Sequence, residues 1–423
     1  MNRHLLAALL LLAPALALAN GYDVPSVTAR DLATVSAGVA AQEGASATNA
    51  NPAALSRTEG LNLSLNASGL WLNTNWKPPP GSTQFGTPPP AQQSTDFNLA
   101  PPVALFASYG GKLDALGGRG AGVGLGFGVP FGGNVFWPDD WAGRGRIITV
   151  ERRVYGTYLT GGIEAIPGIL RIGGGPIYYY VSQYLKQGVE PTPGAYGELA
   201  VKGGAWSYEV SAEITPLPEM PLTIGIDYKH KANVTQTGDG NFVVPAGLNT
   251  PATQDQGVST VLTVPNLLNV GFSYRVAKPV LVMFGYTFCR YVEYKEDRFV
   301  GSAGADIQVP RFYGNGHDFR LAAEWDVNNR WTVRGGVLRD ISGMDVNHWS
   351  PTLPDSDAWA FAGGAAYRVN PDLTVSASVY FAILDSVTPT NNRTATNPTG
   401  TFPGVFDTTA LIGALGVTWH APY

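Results

Sequence analysis

Cysteine is nearly absent: Cys289 is the single one in 423 residues, so no internal disulfide framework can hold this chain together. Charge is scarce as well. Lys and Arg number 27, Asp and Glu 32, and together they make up 14 % of the chain, where ordinary soluble domains carry about 25 %. There is no basic excess, since the net charge is −5; nucleic acid is thereby excluded as the main partner, because it would need a positive face. Beyond the first residues no stretch approaches the apolar run of about 20 residues that a membrane helix requires. P-loop, H-E-x-x-H and G-x-S-x-G motifs are missing, and His230, His317, His348 and His420 are scattered without ligand spacing. No catalytic group, metal or cofactor is therefore expected. What the chain does hold is 52 Gly and 32 Pro, with 44 % hydrophobic and 11 % aromatic residues. Glycine and proline at that density exclude coiled coils and helical repeats, and the apolar content excludes disorder. An all-β protein, rich in glycine and poor in charge, remains.

The start reads as a secretory signal peptide over 1–19: Arg3 and His4, an apolar core from Leu5 to Leu12, and a small-residue cleavage site at Ala17-Leu18-Ala19. An uncleaved anchor is the alternative.

Beyond residue 60 the dominant signal is alternation with period two. Leu61, Leu63, Leu65 and Ala67 alternate with Asn62, Ser64, Asn66 and Ser68, and Trp206, Tyr208, Val210, Ala212 and Ile214 with Ser207, Glu209, Ser211 and Glu213. Each such run is a strand with one apolar and one polar face. Fourteen runs begin near 61, 102, 120, 147, 170, 205, 221, 260, 279, 318, 330, 358, 373 and 410. The segments between them alternate strictly. Short ones (110–119, 164–169, 216–220, 275–278, 328–329, 370–372) take turns with long polar or proline-rich ones (77–101, 131–146, 183–204, 232–257, 292–317, 341–357, 385–409). A soluble sandwich has no reason to keep every second loop short, whereas an outer-membrane barrel has.

In lipid an unpaired backbone N–H or C=O costs several kcal/mol, so a sheet can span only by closing on itself. The expectation is thus a 14-stranded antiparallel transmembrane β-barrel in the bacterial outer membrane, a monomer surrounded by outer-membrane lipid and lipopolysaccharide. Trp71, Trp76, Tyr178, Tyr179, Tyr291 and Tyr313 suit interfacial girdles, or else simple packing. The terminal pattern Leu415, Val417, Trp419, Ala421, Tyr423 resembles the signal read by the barrel-assembly machinery during biogenesis. Residues 20–58 do not alternate, are rich in Ala, Ser and Thr, and are too few to fold alone. They form either a plug, or hatch, folded back into the lumen of a barrel made by 59–423, or a disordered periplasmic tail.

Several short motifs carry a family resemblance. Asn20-Gly21-Tyr22, Asn51-Pro52-Ala53-Ala54-Leu55, Asp139-Asp140-Trp141-Ala142-Gly143-Arg144, Asp227-Tyr228-Lys229, Val264-Pro265-Asn266, the run Asn328 to Gly336 and Pro354-Asp355-Ser356-Asp357 follow one another in order. With them the chain resembles the FadL/TodX family of outer-membrane transporters for long-chain fatty acids and other hydrophobic compounds. The resemblance implies a fourteen-stranded barrel with an N-terminal hatch. It also implies passive transport, with the cargo caught between outer loops, held in the lumen, and released sideways through a gap made by a kink in the third strand. Apolar cargo gains about 25 cal/mol per Å² of its surface on entering lipid, and nothing from an aqueous pore.

The third strand here reads Gly120-Ala121-Gly122-Val123-Gly124-Leu125-Gly126-Phe127-Gly128-Val129-Pro130. Gly122, Gly124, Gly126 and Gly128 leave one face without side chains, and Pro130 cannot donate to a ladder. The site of an opening is expected there, with a tight hatch–wall contact and no gap as the alternative. Asn51, Pro52 and Ala53 are expected at the hatch edge facing it, Asn51 capping wall groups that the kink frees, or forming a plain helix-terminating turn. Asp340 falls where the family carries acidic residues after strand eleven and is carried over as a gate partner. The expected partner is a hydrophobic small-molecule ligand resembling a long-chain fatty acid or an aromatic hydrocarbon. A general polar porin and an outer-membrane lipid-acting enzyme are the competing readings.

Overall fold

Among the described residues nineteen strands follow one another: β1 (Gly60–Lys77), β2 (Gln93–Ser94), β3 (Val103–Leu113), β4 (Arg119–Phe136), β5 (Thr149–Ile166), β6 (Leu170–Gly188), β7 (Tyr196–Ile214), β8 (Leu222–Lys229), β9 (Ala232–Val243), β10 (Gln256–Val264), β11 (Leu267–Ala277), β12 (Val280–Cys289), β13 (Glu296–Gly301), β14 (Asp306–Pro310), β15 (Gly316–Asp326), β16 (Trp331–Ile341), β17 (Ala358–Asn370), β18 (Leu373–Leu384) and β19 (Val405–Ala421). This computed structural model describes residues 24, 28–82, 88–97, 102–189, 192, 194–217, 219–391 and 402–421. The expected signal peptide, the Asn20-Gly21-Tyr22 start and Tyr423 lie outside the described residues.

Fourteen of these strands make the wall, every pair antiparallel: β1, β3, β4, β5, β6, β7, β8, β11, β12, β15, β16, β17, β18 and β19. The last ladder closes the ring, running from Leu61 opposite Ala421 to Lys77 opposite Val405. Closure leaves no sheet edge facing lipid, which is what the bilayer demands. The connections alternate between tight turns at one rim and long excursions at the other.

One run differs from its expected place. The alternation that begins near 260 belongs to β10, while the eighth wall strand is β11. β9 and β10 form a hairpin that rises above the wall and pairs with the outer end of β7, from Tyr196 opposite Val243 to Lys202 opposite Thr237. Period-two patterning continues through Pro265 and Asn266, so alternation alone could not separate a wall strand from an outer extension. β13 and β14 build a second outer hairpin on β10, and β2 pairs with the outer end of β1.

Burial follows the pleat. In β1 the odd positions Leu61, Leu63 and Leu65 face out, and Ser64, Asn66 and Leu70 are buried against the interior. In β7 Trp206, Tyr208 and Val210 are exposed while Glu209, Ser211 and Glu213 point into the lumen. Apolar-out and polar-in is the reverse of a soluble fold and fits hydrocarbon outside. Trp206 and Tyr208 near the outer rim, and Trp325, Trp331 and Trp419 beside the tight turns, form two aromatic levels on this surface. Trp76, Tyr179, Tyr291 and Tyr313 do not join them. They are buried and pack inside the barrel or under the outer loops, because their positions have inward parity or lie in loops.

Candidate functional site

The chain from 28 to 58 lies inside the barrel. Thr28 caps the first helix, α1 (Ala29–Ala33), by accepting the Asp31 amide at 3.0 Å. The helix stops after five residues, little more than one turn, because Val35 and Ser36 adopt left-handed backbone, at φ 45° and 57°. That conformation is costly for a β-branched residue; here it reverses the chain beneath β16, where Val35 packs on Gly336. A second helix, α2 (Ala47–Ala50), leads through Asn51 into a 3₁₀ turn at Pro52–Arg57. Leu32, Ala53 and Leu55 are fully buried; for large apolar side chains such burial stabilises by roughly 1.5–3 kcal/mol each.

Asn51 works within this segment. Its Nδ2 donates to the Val39 carbonyl at 2.8 Å, and its Oδ1 accepts the Ala53 amide at 3.2 Å. It does not reach the wall backbone, contrary to the capping expectation: its side chain is already engaged by two groups of its own segment. Contact with the wall runs through Ala53, whose amide also donates to Ser211 Oγ on β7 at 2.8 Å. Pro52 sits at the first position of the 3₁₀ turn, where its missing N–H costs nothing.

The glycines of β4 split into two groups. Gly120, Gly122, Gly124 and Gly126 form a seat. A Cβ on Gly122 would stand 2.3 Å from the Leu55 carbonyl oxygen, and one on Gly124 would stand 2.1 Å from Thr48 Oγ1. Gly126 faces Phe106 and Thr48. Gly162 on β5 and Gly173 on β6 continue the seat against Pro52 and Ala53. Over this stretch the β3–β4 ladder is continuous from Leu113 opposite Arg119 to Leu105 opposite Phe127. The glycine face here is a close contact.

The second group lies further up. Gly128 is opposite Gly156, and the next paired residue on β4 is Phe131, opposite Val154. Val129 and Pro130 thus stand against the single residue Tyr155, a bulge. The β3 partner has ended by this level, so one edge of β4 has lost its ladder. From Gly128 onward the in-out alternation stops and residues on both faces become buried or half-buried, which means that the strand has turned away from the outer surface. The Pro130 carbonyl is taken by the Val24 amide of the N-terminal segment at 2.9 Å.

Val24, Pro130 and Phe131 border an internal cavity of about 110 Å³, with Val39 and Leu267 on its apolar side. Its other side is polar: Asp31, Lys229, Asn269, Thr287 and Arg320. These belong to a chain of lumen-facing groups across six strands. Glu209 and Asp227 hold Lys229 at 3.2 and 2.5 Å, Asn269 donates to Asp227 at 3.2 Å, Thr287 donates to Asn269 at 2.6 Å, and Arg320 joins Thr287 to Asp318. The readable signal for this chain was the parity of its charged residues, opposite to that of the apolar ones. Asp340 stands at its end, buried and directly opposite Asp318. Five wall strands separate Asp340 from β4 by the shorter way round, so the structure does not bring it to the bulge. Among the described residues no group of three or more His, Cys, Asp or Glu is placed to hold a metal.

Further ion pairs fasten the N-terminal segment to the wall. Arg30 bonds Glu324 on β15 with Nε at 3.1 Å, and Arg57 pairs with the fully buried Glu213 on β7, which also receives Arg171 at 2.9 Å. Above the barrel, Asp297 ties the outer hairpins down through Arg152 at 2.9 Å, Arg311 at 2.8 Å and the Tyr294 hydroxyl at 2.7 Å. Burial alone would raise the Asp297 carboxyl; the two guanidiniums outweigh it and hold its pKa at about 2. The Asp139-to-Arg144 motif is a structural loop. Trp141 stacks on Trp137 at 4.0 Å and donates to the Ile147 carbonyl, and Arg144 binds the carbonyls of Asp139 and Ala195.

Comparison with known proteins agrees with this geometry. Residues 10–420 match the family described as outer membrane protein transport protein (OMPP1/FadL/TodX). A 47 kDa outer membrane protein of Pasteurella multocida is 24 % identical over 192 residues, covering 42 % of this chain and 44 % of that protein. The long-chain fatty acid transport protein of Escherichia coli O6:H1 is 20 % identical over 195 residues, covering 43 % of each. These matches span under half the length of either relative. Over almost the whole fold the chain is similar to the crystal structure of a Pseudomonas aeruginosa FadL homologue, with TM-score 0.82 at 18 % identity, covering 94 % of this chain and 99 % of that one. It is similar also to the Pseudomonas putida toluene transporter TodX, with TM-score 0.69 at 14 % identity, covering 90 % and 95 %.

Proposed function

Since the chain belongs to the outer membrane protein transport family of OMPP1, FadL and TodX, we propose that it carries hydrophobic small molecules passively across the outer membrane. In this reading residues 20–58 are the hatch and 59–423 the barrel. The cargo rests in the lumen and leaves sideways at the β4 bulge. The carrying observation is that one cavity borders both the bulge residue Pro130, with its neighbour Phe131, and the hatch residue Val24, whose amide covers the Pro130 carbonyl. Movement of Val24 would join the cavity to the edge of β4 that β3 leaves unpaired. The exit then opens toward hydrocarbon, where apolar cargo is stabilised by about 25 cal/mol per Å² of surface.

Relatives of this fold include a long-chain fatty acid transporter and a toluene transporter. At about 110 Å³ the cavity takes one aromatic ring, or one part of an acyl chain at a time, against Val24, Val39, Phe131 and Leu267. Gly122, Gly124 and Gly126, with Pro52 and Ala53, act as the hatch seat, and Gly128 and Pro130 act as the exit. Deletion of Pro130 tests the proposal, since it removes the extra residue and lets the β4–β5 ladder run on. The expected result is lost uptake of radiolabelled oleate and of toluene, with assembly retained as judged by heat-modifiable gel mobility. Uptake at the wild-type rate by an assembled deletion variant overturns lateral exit. Rapid swelling of sugar-loaded liposomes by the wild type would favour a polar porin instead.

A further inference from the structure

The cavity beside the β4 bulge carries a charge that no cation balances. Asp31 on α1 borders it and is only 6 % exposed. Its Oδ2 accepts the Thr28 hydroxyl at 2.6 Å, and its Oδ1 accepts the Gln42 side-chain amide at 2.9 Å. Both donors are neutral. Among the described residues Asp31 joins no ion pair, and its neighbour Arg30 turns away to Glu324 and the Ala41 carbonyl. Buried charges are ordinarily paired, because desolvation penalises one that is left alone. A carboxylate offers about four acceptor sites; the Thr28 and Gln42 bonds use two of them, on a side chain that lines the cavity.

The two cations of the cavity are already covered. Lys229 lies between Glu209 and Asp227, at 3.2 and 2.5 Å, and Arg320 is engaged by Asp318 and Thr287. Counted with Asp31, four carboxylates stand against two cations, an excess of two negative charges. Enclosure in the barrel keeps the local dielectric low, so that imbalance is felt strongly by whatever enters. A carboxylate head finds no free cation here and meets repulsion, although an acyl chain can still pass through with its head elsewhere. An ammonium finds the reverse. Opposite the polar side stand Val24, Val39, Phe131 and Leu267, and the volume of about 110 Å³ suits one ring.

We propose that this cavity selects a compact aromatic amine. The ring lies against Val24, Val39, Phe131 and Leu267, and the protonated amino group donates to the Asp31 carboxylate. This names a cargo class for the site and rests on the transport reading, in which the cavity is where cargo pauses. A neutral ring of the same size fills the apolar side and leaves Asp31 without a counter-charge. An aromatic acid sets its own charge against the carboxylate excess. The amine alone satisfies both walls.

The test is equilibrium dialysis at pH 7 of the purified full chain in detergent micelles, with binding to empty micelles subtracted. The probes are radiolabelled benzylamine, benzyl alcohol and benzoate, one ring each and closely matched in size. The wild type is expected to bind benzylamine about tenfold more tightly than benzyl alcohol, the margin of a charge-assisted hydrogen bond over a neutral one. Benzoate is expected to bind more weakly than either. Asp31→Asn keeps the shape and removes the charge, so the ratio of benzylamine to benzyl alcohol affinity should fall to about one. Benzoate binding as tightly as benzylamine in the wild type overturns the proposal, as does an unchanged ratio in Asp31→Asn. The wild-type order of the three probes decides alone if that variant does not assemble. Equal binding of benzylamine and benzyl alcohol overturns the amine preference and leaves the cavity standing as a cargo site, whereas binding of none of the three overturns both.

Discussion

The carbonyl oxygen of Pro52 stands 2.2 Å from the point that a Cβ on Gly162 would occupy. Pro52 and the wall touch backbone to backbone, and neither side has a flexible side chain that could yield. Gly162→Ala must therefore push the 3₁₀ turn off its seat, at a cost typical of overpacking, about 1–3 kcal/mol. Gly161→Ala, one residue away and facing lipid, has room. Hydrogen exchange of residues 52–58 is expected to quicken by about ten- to a hundredfold in Gly162→Ala and to stay at the wild-type rate in Gly161→Ala. Equal protection in both variants would remove the seat from the account.

Val24 offers a second point of attack, because its contact with the bulge is a backbone bond that only proline deletes. Val24→Pro removes the donor to Pro130, an interaction worth about 0.5–1.5 kcal/mol net. If Val24 covers the exit, the initial rate of oleate uptake rises by roughly two- to tenfold, with no gain in sugar flux. An unchanged or slower rate would show that the bond does not limit release.

How much of this was legible in the sequence differs from element to element. The wall was readable because lipid imposes a strict rule: every outward residue between Leu61 and Leu65, or between Trp206 and Val210, must be apolar, and alternation records that directly. The short turns were readable for the same reason. Where the wall ends was not, since β10 continues the alternation of β11 above the membrane. The glycines of β4 announced a close approach, yet Gly122 in the seat and Gly128 at the bulge look alike in sequence; the difference lies in what faces them. The Val24–Pro130 bond leaves no side-chain signature at all. Asp340 was carried over by position and proves to belong with Asp318, with five wall strands between it and β4 by the shorter path.

Glu213 provides a test of what fastens the hatch. It is fully buried and carries both Arg57 and Arg171, so Glu213→Ala leaves two guanidiniums beside each other with no counter-charge. Removing one partner of a buried pair costs about 3–5 kcal/mol, less here because Arg57 is partly exposed. Arg57→Ala relieves the repulsion in the same background. In a double-mutant cycle on the exchange of residues 52–58, the two losses are expected to be strongly non-additive, the double variant lying close to Arg57→Ala. Simple additivity would mean that the pair does not hold the hatch.

Asp297 predicts an acid response of the outer loops whose sign follows from its surroundings. Its carboxyl is held at about 2, below the value of about 3.9 of a free aspartate. A group depressed in the folded state stabilises it at any pH above the free value and loses that contribution as pH falls through the folded one. The outer hairpins should therefore hold unchanged from neutrality down to about pH 4 and loosen between pH 4 and pH 2, by an amount on the order of 2 kcal/mol. Asp297→Asn keeps the shape, removes the charge, and leaves Arg152 and Arg311 facing each other, so its loops should be loose at neutrality and change little over the same interval. Pepsin cleavage of residues 290–315, scored relative to the Asn variant at each pH, separates the two. Parallel curves for wild type and variant would show that the loops are pinned by something other than this carboxylate.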